Sequence, residues 1–345
     1  MSIIDDLKYI HQKDGQDALG IAAKQWQQLE LAYELPDMAY DVENVVFTGM
    51  GGSALAALIS LSWPGYSVPF EIVRGYSLPK YVGKKTLVIA SSYSGNTEET
   101  LSALEDAENK GAHIVCIAAG GKLADIAHEK GYPFARLPDV AQPRFAVLAS
   151  FKAFVAVLER VGLVAEASAE AEIHKTAQFL RGHLDSWSPV VPTKSNPAKK
   201  LALDIAGLSP VIYGGPLMAP IAYKWKISFN ENAKNVAWWN EFSEFNHNEF
   251  MGWASHPVEK PYAIIDLRSS FEHPRIQKRF DLTAKLLSGR RPAPHTVEAV
   301  GDTLLEQLLY TMAFGDFVAL YLALINGINP TPVELIEKFK VELAK

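Results

Sequence analysis

The stretch LVIASSYSGNTEETLSAL, Leu87 to Leu104, decides how this chain is read. An apolar, β-branched run ends abruptly in Ser91, Ser92, Tyr93, Ser94, Gly95, Asn96 and Thr97, and a helical pattern begins at Glu98. A strand that stops in hydroxyls and a glycine, then restarts as a helix, suits a phosphate group. The first-turn amides of a helix lack intrahelical partners and carry the positive end of the dipole. Ser92, Ser94 and Thr97 add hydroxyl donors, so no lysine is needed. The same letters also fit an ordinary N-cap, with Asn96 and Glu99 at capping-box spacing. On this segment alone both readings stand.

The flanking sequence supplies the architecture. NVVFTG (Asn44 to Gly49) reads as a strand and SALAALISLSW as the helix after it; PFEIVRG and HIVCIAA are further short apolar runs. That alternation predicts a parallel sheet covered by helices on both faces. From Phe151 to about Trp187 the chain turns helical, and SPVVPTKSNP (Ser188 to Pro197), with three prolines, reads as a linker. A second α/β section follows: PVIYGG (Pro210 to Gly215) as a strand, PLMAPIAYKWKISFNENAK as its helix, PYAIIDLRSS as another strand, then a largely helical end. VVFTGMGGSALAAL and VIYGGPLMAPIAY run parallel, which suggests two related modules. The expectation is an α/β chain of two doubly wound parallel-sheet domains with connecting helices. Its boundaries are 1–150 for the N-terminal domain, 151–190 for the connecting helices and linker, and 191–345 for the C-terminal domain.

Composition narrows the class. The chain has 345 residues and a formal net charge of -6, which argues against the clustered basic footprint of a nucleic-acid binder. An anionic substrate is still allowed, because a pocket is governed by its local field. The single cysteine, Cys116, lies in an apolar run and reads as a small buried hydrophobe, so no intramolecular disulfide forms and a cytoplasmic setting is expected. The N-terminus has no signal-peptide core. YTMAFGDFVALYLALING (Tyr310 to Gly327) contains Asp316 and two glycines and reads as a buried helix rather than a membrane span.

Gly49-Met50-Gly51-Gly52-Ser53-Ala54 satisfies a loose G-x-G-x-x-A pattern after a strand, so a dinucleotide must be considered. Glu71 is the acidic residue at about the right separation, but it falls inside the next strand rather than at its end. Paired glycines followed by Ser53 also bring backbone amides close to a small polar ligand, or simply make a tight turn.

Taken together, GMGGSA and SSYSGNTEET resemble the sugar isomerase (SIS) domain, a doubly wound module that binds phosphosugars. NENAK (Asn230 to Lys234), FNHNEFMGW (Phe245 to Trp253), GINPTPVELIEKFK at the C-terminus and QPRFA (Gln142 to Ala146) are similar to segments of the bifunctional phosphoglucose/phosphomannose isomerases. The resemblance covers essentially the whole chain, with the motifs in the family's order. It implies two SIS-type domains, a phosphosugar substrate, a homodimer and no cofactor, while the charge and the buried-helix reading above leave no nucleic-acid or membrane partner expected. It implies a phosphate cradle of Gly52, Ser53, Ser92, Ser94 and Thr97, with Glu231 as the base that moves a proton between C1 and C2. Arg144 would steady the enediolate. His247, contributed by the partner subunit, would open the ring. Lys340 would assist it, although Lys338 is close to the same place.

Residue chemistry by itself is less specific. A carboxylate can take and return a proton without a metal, an arginine suits a developing oxyanion, and an imidazole exchanges protons near neutrality. Each also has a plain reading: a helix-terminal Glu231, a surface Arg144, a hydrogen-bonded structural His247. Lys340 shares a face with Val333 and Ile336, which predicts that it turns inward. Trp238 and Trp239 fit a sugar-site wall, or a core or interface anchor. The histidines show no metal-ligand spacing, so a metal-dependent cupin-type isomerase is not expected. Thr331, before Pro332, is small enough for a roomy pocket. The competing functions are a non-catalytic phosphosugar sensor and a nicotinamide-dependent dehydrogenase.

Overall fold

In this computed structural model residues 2–164 and 168–343 are described. The chain forms two compact units, Gln25–Phe179 and Met1–Lys24 with Leu180–Lys345. Helices α1 (Leu7–Lys13) and α2 (Ala18–Lys24) thus belong with the C-terminal part of the chain.

The unit 25–179 begins with strand β1 (Asn44–Thr48), helix α3 (Leu55–Ser60), β2 (Phe70–Val73) and β3 (Thr86–Ser91). It continues through α4 (Glu98–Lys110), β4 (His113–Ala118), α5 (Gly121–Lys130), β5 (Phe134–Arg136) and α6 (Val147–Arg160) to most of α7 (Ser168–Leu184). The five strands are parallel, in the order β2-β1-β3-β4-β5. All six residues of β3 are buried, as a central strand with helices on both faces requires. On one face Val46, Val88, Ala90, Ile114 and Cys116 pack with Ala103, Leu104 and Ala107 of α4 and Leu123 and Ala127 of α5. On the other, Phe47 meets Phe154 of α6 edge-on, with ring centroids 5.4 Å apart. Burying such a side chain is worth roughly 1.5–3 kcal/mol, so α6 is part of this unit's core rather than a connector.

The second unit continues from the end of α7 with α8 (Pro197–Asp204), β6 (Ser209–Gly214), α9 (Ala219–Glu231) and β7 (Trp238–Glu241). Then come α10 (Glu249–Gly252), β8 (Tyr262–Arg268), α11 (Pro274–Leu286), β9 (His295–Glu298), α12 (Leu304–Ile325) and α13 (Glu334–Leu343). Its four parallel strands run β7-β6-β8-β9. The apolar α12 is long enough to cross a membrane, but most of its apolar window is buried inside the unit. A capping box of Thr303 and Glu306 starts it.

These units divide the chain differently from the boundaries read off the sequence. The proline-rich segment 188–197 is not a free linker. The Lys199 ammonium donates to the Pro189 carbonyl at 2.8 Å and to Asp5 at 3.0 Å, and Asn196 donates to the Ser188 carbonyl at 3.3 Å. Pro197 occupies the first turn of α8, where a missing N–H costs nothing. The prolines there start turns and helices instead of breaking structure.

Candidate active site

In the unit 25–179, two turns come together at the carboxyl ends of β1 and β3. The first follows Gly49; Gly51 has φ +50°, and Gly52 and Ser53 lie in a short 3₁₀ turn leading into α3. The second is the segment 92–97. Ser53 Oγ accepts from the Tyr93 amide at 3.0 Å, and Ser92 and Thr97 share a hydroxyl–hydroxyl bond of 2.8 Å. Ser94 is exposed and its Oγ accepts from the Asn96 amide at 3.3 Å. The five cradle positions are therefore gathered in one place.

The capping box suggested by Asn96 and Glu99 does not form. The N-cap of α4 is Thr97, with φ -68° and ψ 119°, and it makes no side-chain cap bond. Asn96 spends its side chain elsewhere: Nδ2 donates to the Ser94 carbonyl at 3.0 Å and Oδ1 accepts from Lys122 N at 3.2 Å. A helix start without a side-chain cap keeps its dipole end available to an anion.

Arg144 is built against this cradle. A Cβ on Gly52 would lie 3.5 Å from Arg144 N, so the glycine turn and the QPR segment abut. Tyr93 joins them a second way: its hydroxyl donates to the Pro138 carbonyl at 3.0 Å and accepts from Val140 N at 2.6 Å. Gln28 fixes the far side, donating to the Phe145 carbonyl at 2.6 Å and accepting from Ala149 N at 3.0 Å. Arg144 is 3% exposed, with its guanidinium 4.8 Å from the Phe145 ring centre. It is not the surface arginine that its plain reading expected. Tyr93 and Gln28 are positioning residues that the sequence did not single out; a tyrosine inside a hydroxyl-rich turn was the one available signal.

Glu231, His247 and Lys340 lie in the other unit. Glu231 is the last residue of α9 and is half-buried. Lys234, with φ +51°, folds back so that its ammonium donates to the carbonyls of Glu231 at 2.8 Å, Asn329 at 3.1 Å and Pro330 at 2.9 Å. The NENAK segment is thereby tied to the INPTP turn, where Thr331 is buried.

His247 ends a 3₁₀ turn, Glu244–His247, and is exposed. Among the described residues its ring makes no hydrogen bond, which removes the reading of a bonded structural histidine. Its neighbours are held firmly. Asn246 donates to Thr283 Oγ1 and accepts from Arg279, each at 3.0 Å. Glu249 accepts from the Tyr213 hydroxyl, from Trp253 Nε1 at 3.2 Å and from Asn240 at 2.7 Å. The buried Arg291 guanidinium packs among the rings of Tyr213, Phe245 and Trp253.

Lys340 corrects an expectation. It does not turn inward: every residue of α13 is exposed, and the Lys340 ammonium pairs with Glu337 at 3.1 Å. Leu335, Ile336 and Phe339 are exposed with it, so an apolar stripe on this helix does not mean burial in the chain's own core. Lys338 is equally exposed, and burial does not separate the two. Trp238 and Trp239 are exposed on β7, which rules out a core role. Glu71 sits within β2 and accepts from Tyr81 at 2.6 Å, away from the place a ribose-binding carboxylate needs.

Residues 38–167 match the SIS domain, and residues 194–343 match the bacterial phospho-glucose isomerase C-terminal SIS domain. A bifunctional phosphoglucose/phosphomannose isomerase of Caldicellulosiruptor bescii is 37% identical over 329 residues, 92% of this chain and 96% of that protein. The chain belongs to this isomerase family. Its relative of the same name in Aquifex aeolicus is 33% identical over 91% of this chain and 95% of its own length. A solved glucose-6-phosphate isomerase like protein of Thermus thermophilus shares the fold, with a TM-score of 0.65 at 20% identity, covering 97% of this chain and 100% of that one. The two SIS-type sheets of the isomerase family are thus both present, and the motifs that carried the resemblance fall on the turns and helix ends described above.

Proposed function

We propose that the chain is an aldose–ketose isomerase that interconverts glucose 6-phosphate and mannose 6-phosphate with fructose 6-phosphate. The observation that carries the reading is the pair of turns at Gly52–Ser53 and Ser92–Thr97, with the buried Arg144 built against them. The amides of the first turn and the hydroxyls of Ser53, Ser92, Ser94 and Thr97 hold the phosphate. Once the ring is open, Glu231 removes the proton from C2 of the aldose, leaving a cis-enediolate across C1 and C2. Arg144 balances the charge on its oxygens. The hydroxyl proton on the C2 oxygen passes to the C1 oxygen, and Glu231 returns its proton to C1 as the C2 oxygen becomes the ketone, so the carboxylate ends as it began. C2 is planar in the enediol, so glucose and mannose phosphates pass through one intermediate. His247, donated by the partner subunit of a homodimer, exchanges the ring-opening proton with Lys340 assisting. The step needs no cofactor. The setting is cytoplasmic, at the hexose phosphate step of glycolysis and gluconeogenesis, with no nucleic-acid or membrane partner; the buried Cys116 and the inward-packed α12 suit it.

The test is conversion of fructose 6-phosphate and of mannose 6-phosphate, read through coupled dehydrogenases with EDTA present. Both should turn over, and Glu231→Gln should lower kcat by about 1,000-fold, within the range of a lost general base, while fructose 6-phosphate still binds. A variant that keeps its turnover would remove Glu231 as the base. Saturable binding without any turnover in the unaltered protein would leave a sensor.

A further inference from the structure

The two units repeat one another. In one, β1-α3-β2 and β3-α4-β4 form the sheet order second-first-third-fourth; in the other, β6-α9-β7 and β8-α11-β9 form the same order. The repeat can be followed residue by residue at the ligand-side turns. Asn44 and Ser209 open the first strands, which sets Leu217 and Met218 where the N-terminal unit has Gly52 and Ser53. Thr97 and His273 are the N-caps of α4 and α11, which sets Glu272 where the N-terminal unit has Asn96.

The equivalent turns are filled differently. Among the described residues, no side chain accepts from the amides of Gly52 or Ser53. In the second unit Glu272 Oε1 accepts from Leu217 N at 2.9 Å and from Met218 N at 3.1 Å. Glu272 is 5% exposed, and Gly215 makes its room: a Cβ there would lie 2.4 Å from the Glu272 Cδ and Oε1. The serines at the end of β8 are occupied as well. Ser269 donates to Gln307 Oε1 at 2.7 Å, and Gln307 Nε2 donates to Ser270 Oγ at 2.8 Å.

We propose that Glu272 is a built-in ligand. Its carboxylate takes, in the C-terminal module, the place that the substrate phosphate takes in the N-terminal one, so each chain binds one phosphosugar rather than two. The inference rests on the phosphate reading of the N-terminal turns. A tethered carboxylate loses no translational freedom when it binds, so it holds two helix-start amides more cheaply than a free anion can. It also repels a second anion and fills the space beside Gly215. The arrangement locks the start of α9, at whose far end Glu231 sits, without asking for a bound ligand.

The experiment is calorimetric titration with fructose 6-phosphate and, separately, inorganic phosphate, on the unaltered protein, Glu272→Ala and Glu272→Gln. ¹⁵N amide spectra would follow Leu217 and Met218. The unaltered chain should bind one phosphosugar per chain without moving those two amides. Glu272→Ala should bind two anions per chain and shift both amides, whereas Glu272→Gln, which keeps an acceptor oxygen in place, should stay at one. Two phosphosugars on the unaltered chain, or moving Leu217 and Met218 amides there, would overturn the proposal whether or not the alanine variant folds. So would one anion on a folded Glu272→Ala. Absence of any binding to the unaltered chain would instead remove the phosphate reading of the N-terminal turns.

Discussion

Gly95 has no room for a methyl group. Its φ is +69°, and a Cβ would lie 1.8 Å from the Gly120 carbonyl oxygen. The close approach lets Gly95 O accept from Leu123 N at 2.9 Å and Tyr93 O from Ala119 N at 3.0 Å, so the turn 92–97 is clamped to the β4–α5 turn. Gly95→Ala should therefore cost about 2 kcal/mol for the left-handed backbone alone, with the clash added, and should weaken phosphosugar binding along with stability. Urea unfolding and a fructose 6-phosphate titration check it; an unchanged midpoint would mean the two turns are not clamped. The glycine was visible in the sequence, but its reason was not, because Gly120 is 25 residues away. The same holds for Asn96: its letters fitted a capping box, yet its side chain bonds the amide of Lys122 instead of closing a box with Glu99. Local pattern names the residue types at such a turn, and tertiary contacts decide which bonds they make.

At the scale of elements, α9 is oriented by α12. Trp225 Nε1 donates to the Thr311 carbonyl at 2.8 Å, and Gly315 is needed there because a Cβ would lie 2.1 Å from that nitrogen. Beside it the buried Lys224 pairs with Asp316, and one turn on Ser228 donates to the same carboxylate at 2.8 Å. Three successive contacts on one face fix the rotation of α9 and so the direction in which Glu231 leaves its last turn. Lys224→Met should cost about 3–5 kcal/mol by leaving the Asp316 carboxylate without its cation, and Lys224→Met with Asp316→Leu should recover much of it. Thermal unfolding of the two variants is the check; equal losses in both would mean the pair is not coupled. α12 itself was legible as a buried helix, because a long apolar run has few alternatives. The strands β5, β7 and β9 were not. They are three or four residues long and partly exposed at sheet edges, too short for a period of two to show.

For the whole molecule, the alternation of strands and helices was enough to give two parallel sheets. It was not enough to place the first 24 residues with the C-terminal unit, because that depends on the contacts of α1 and α2 with a helix some 300 residues later, such as the Tyr9 hydroxyl on the Leu324 carbonyl at 2.7 Å. Lys340 failed for a related reason: an apolar stripe shows that a helix has something to bury, not where its cover comes from. Global stability carries one more consequence, from Asp266 on β8. Burial pushes its carboxyl up to about 6, with Arg291 and then Arg268 pulling the other way. An unfolded aspartate ionises near 3.8, so between these values the unfolded chain has lost a proton that the folded chain keeps. The unfolded state then binds fewer protons, and stability falls as pH rises through that window, by about 3 kcal/mol in all at 1.36 kcal/mol per unit. Below 3.8 and above 6 this group contributes no slope. Asp266→Asn should remove that fall. Urea unfolding of both proteins from pH 4 to pH 6.5 decides the matter. A gain in stability of the unaltered protein relative to Asp266→Asn as pH falls through that window supports the buried, protonated carboxyl; parallel curves would mean that Asp266 is already ionised in the fold.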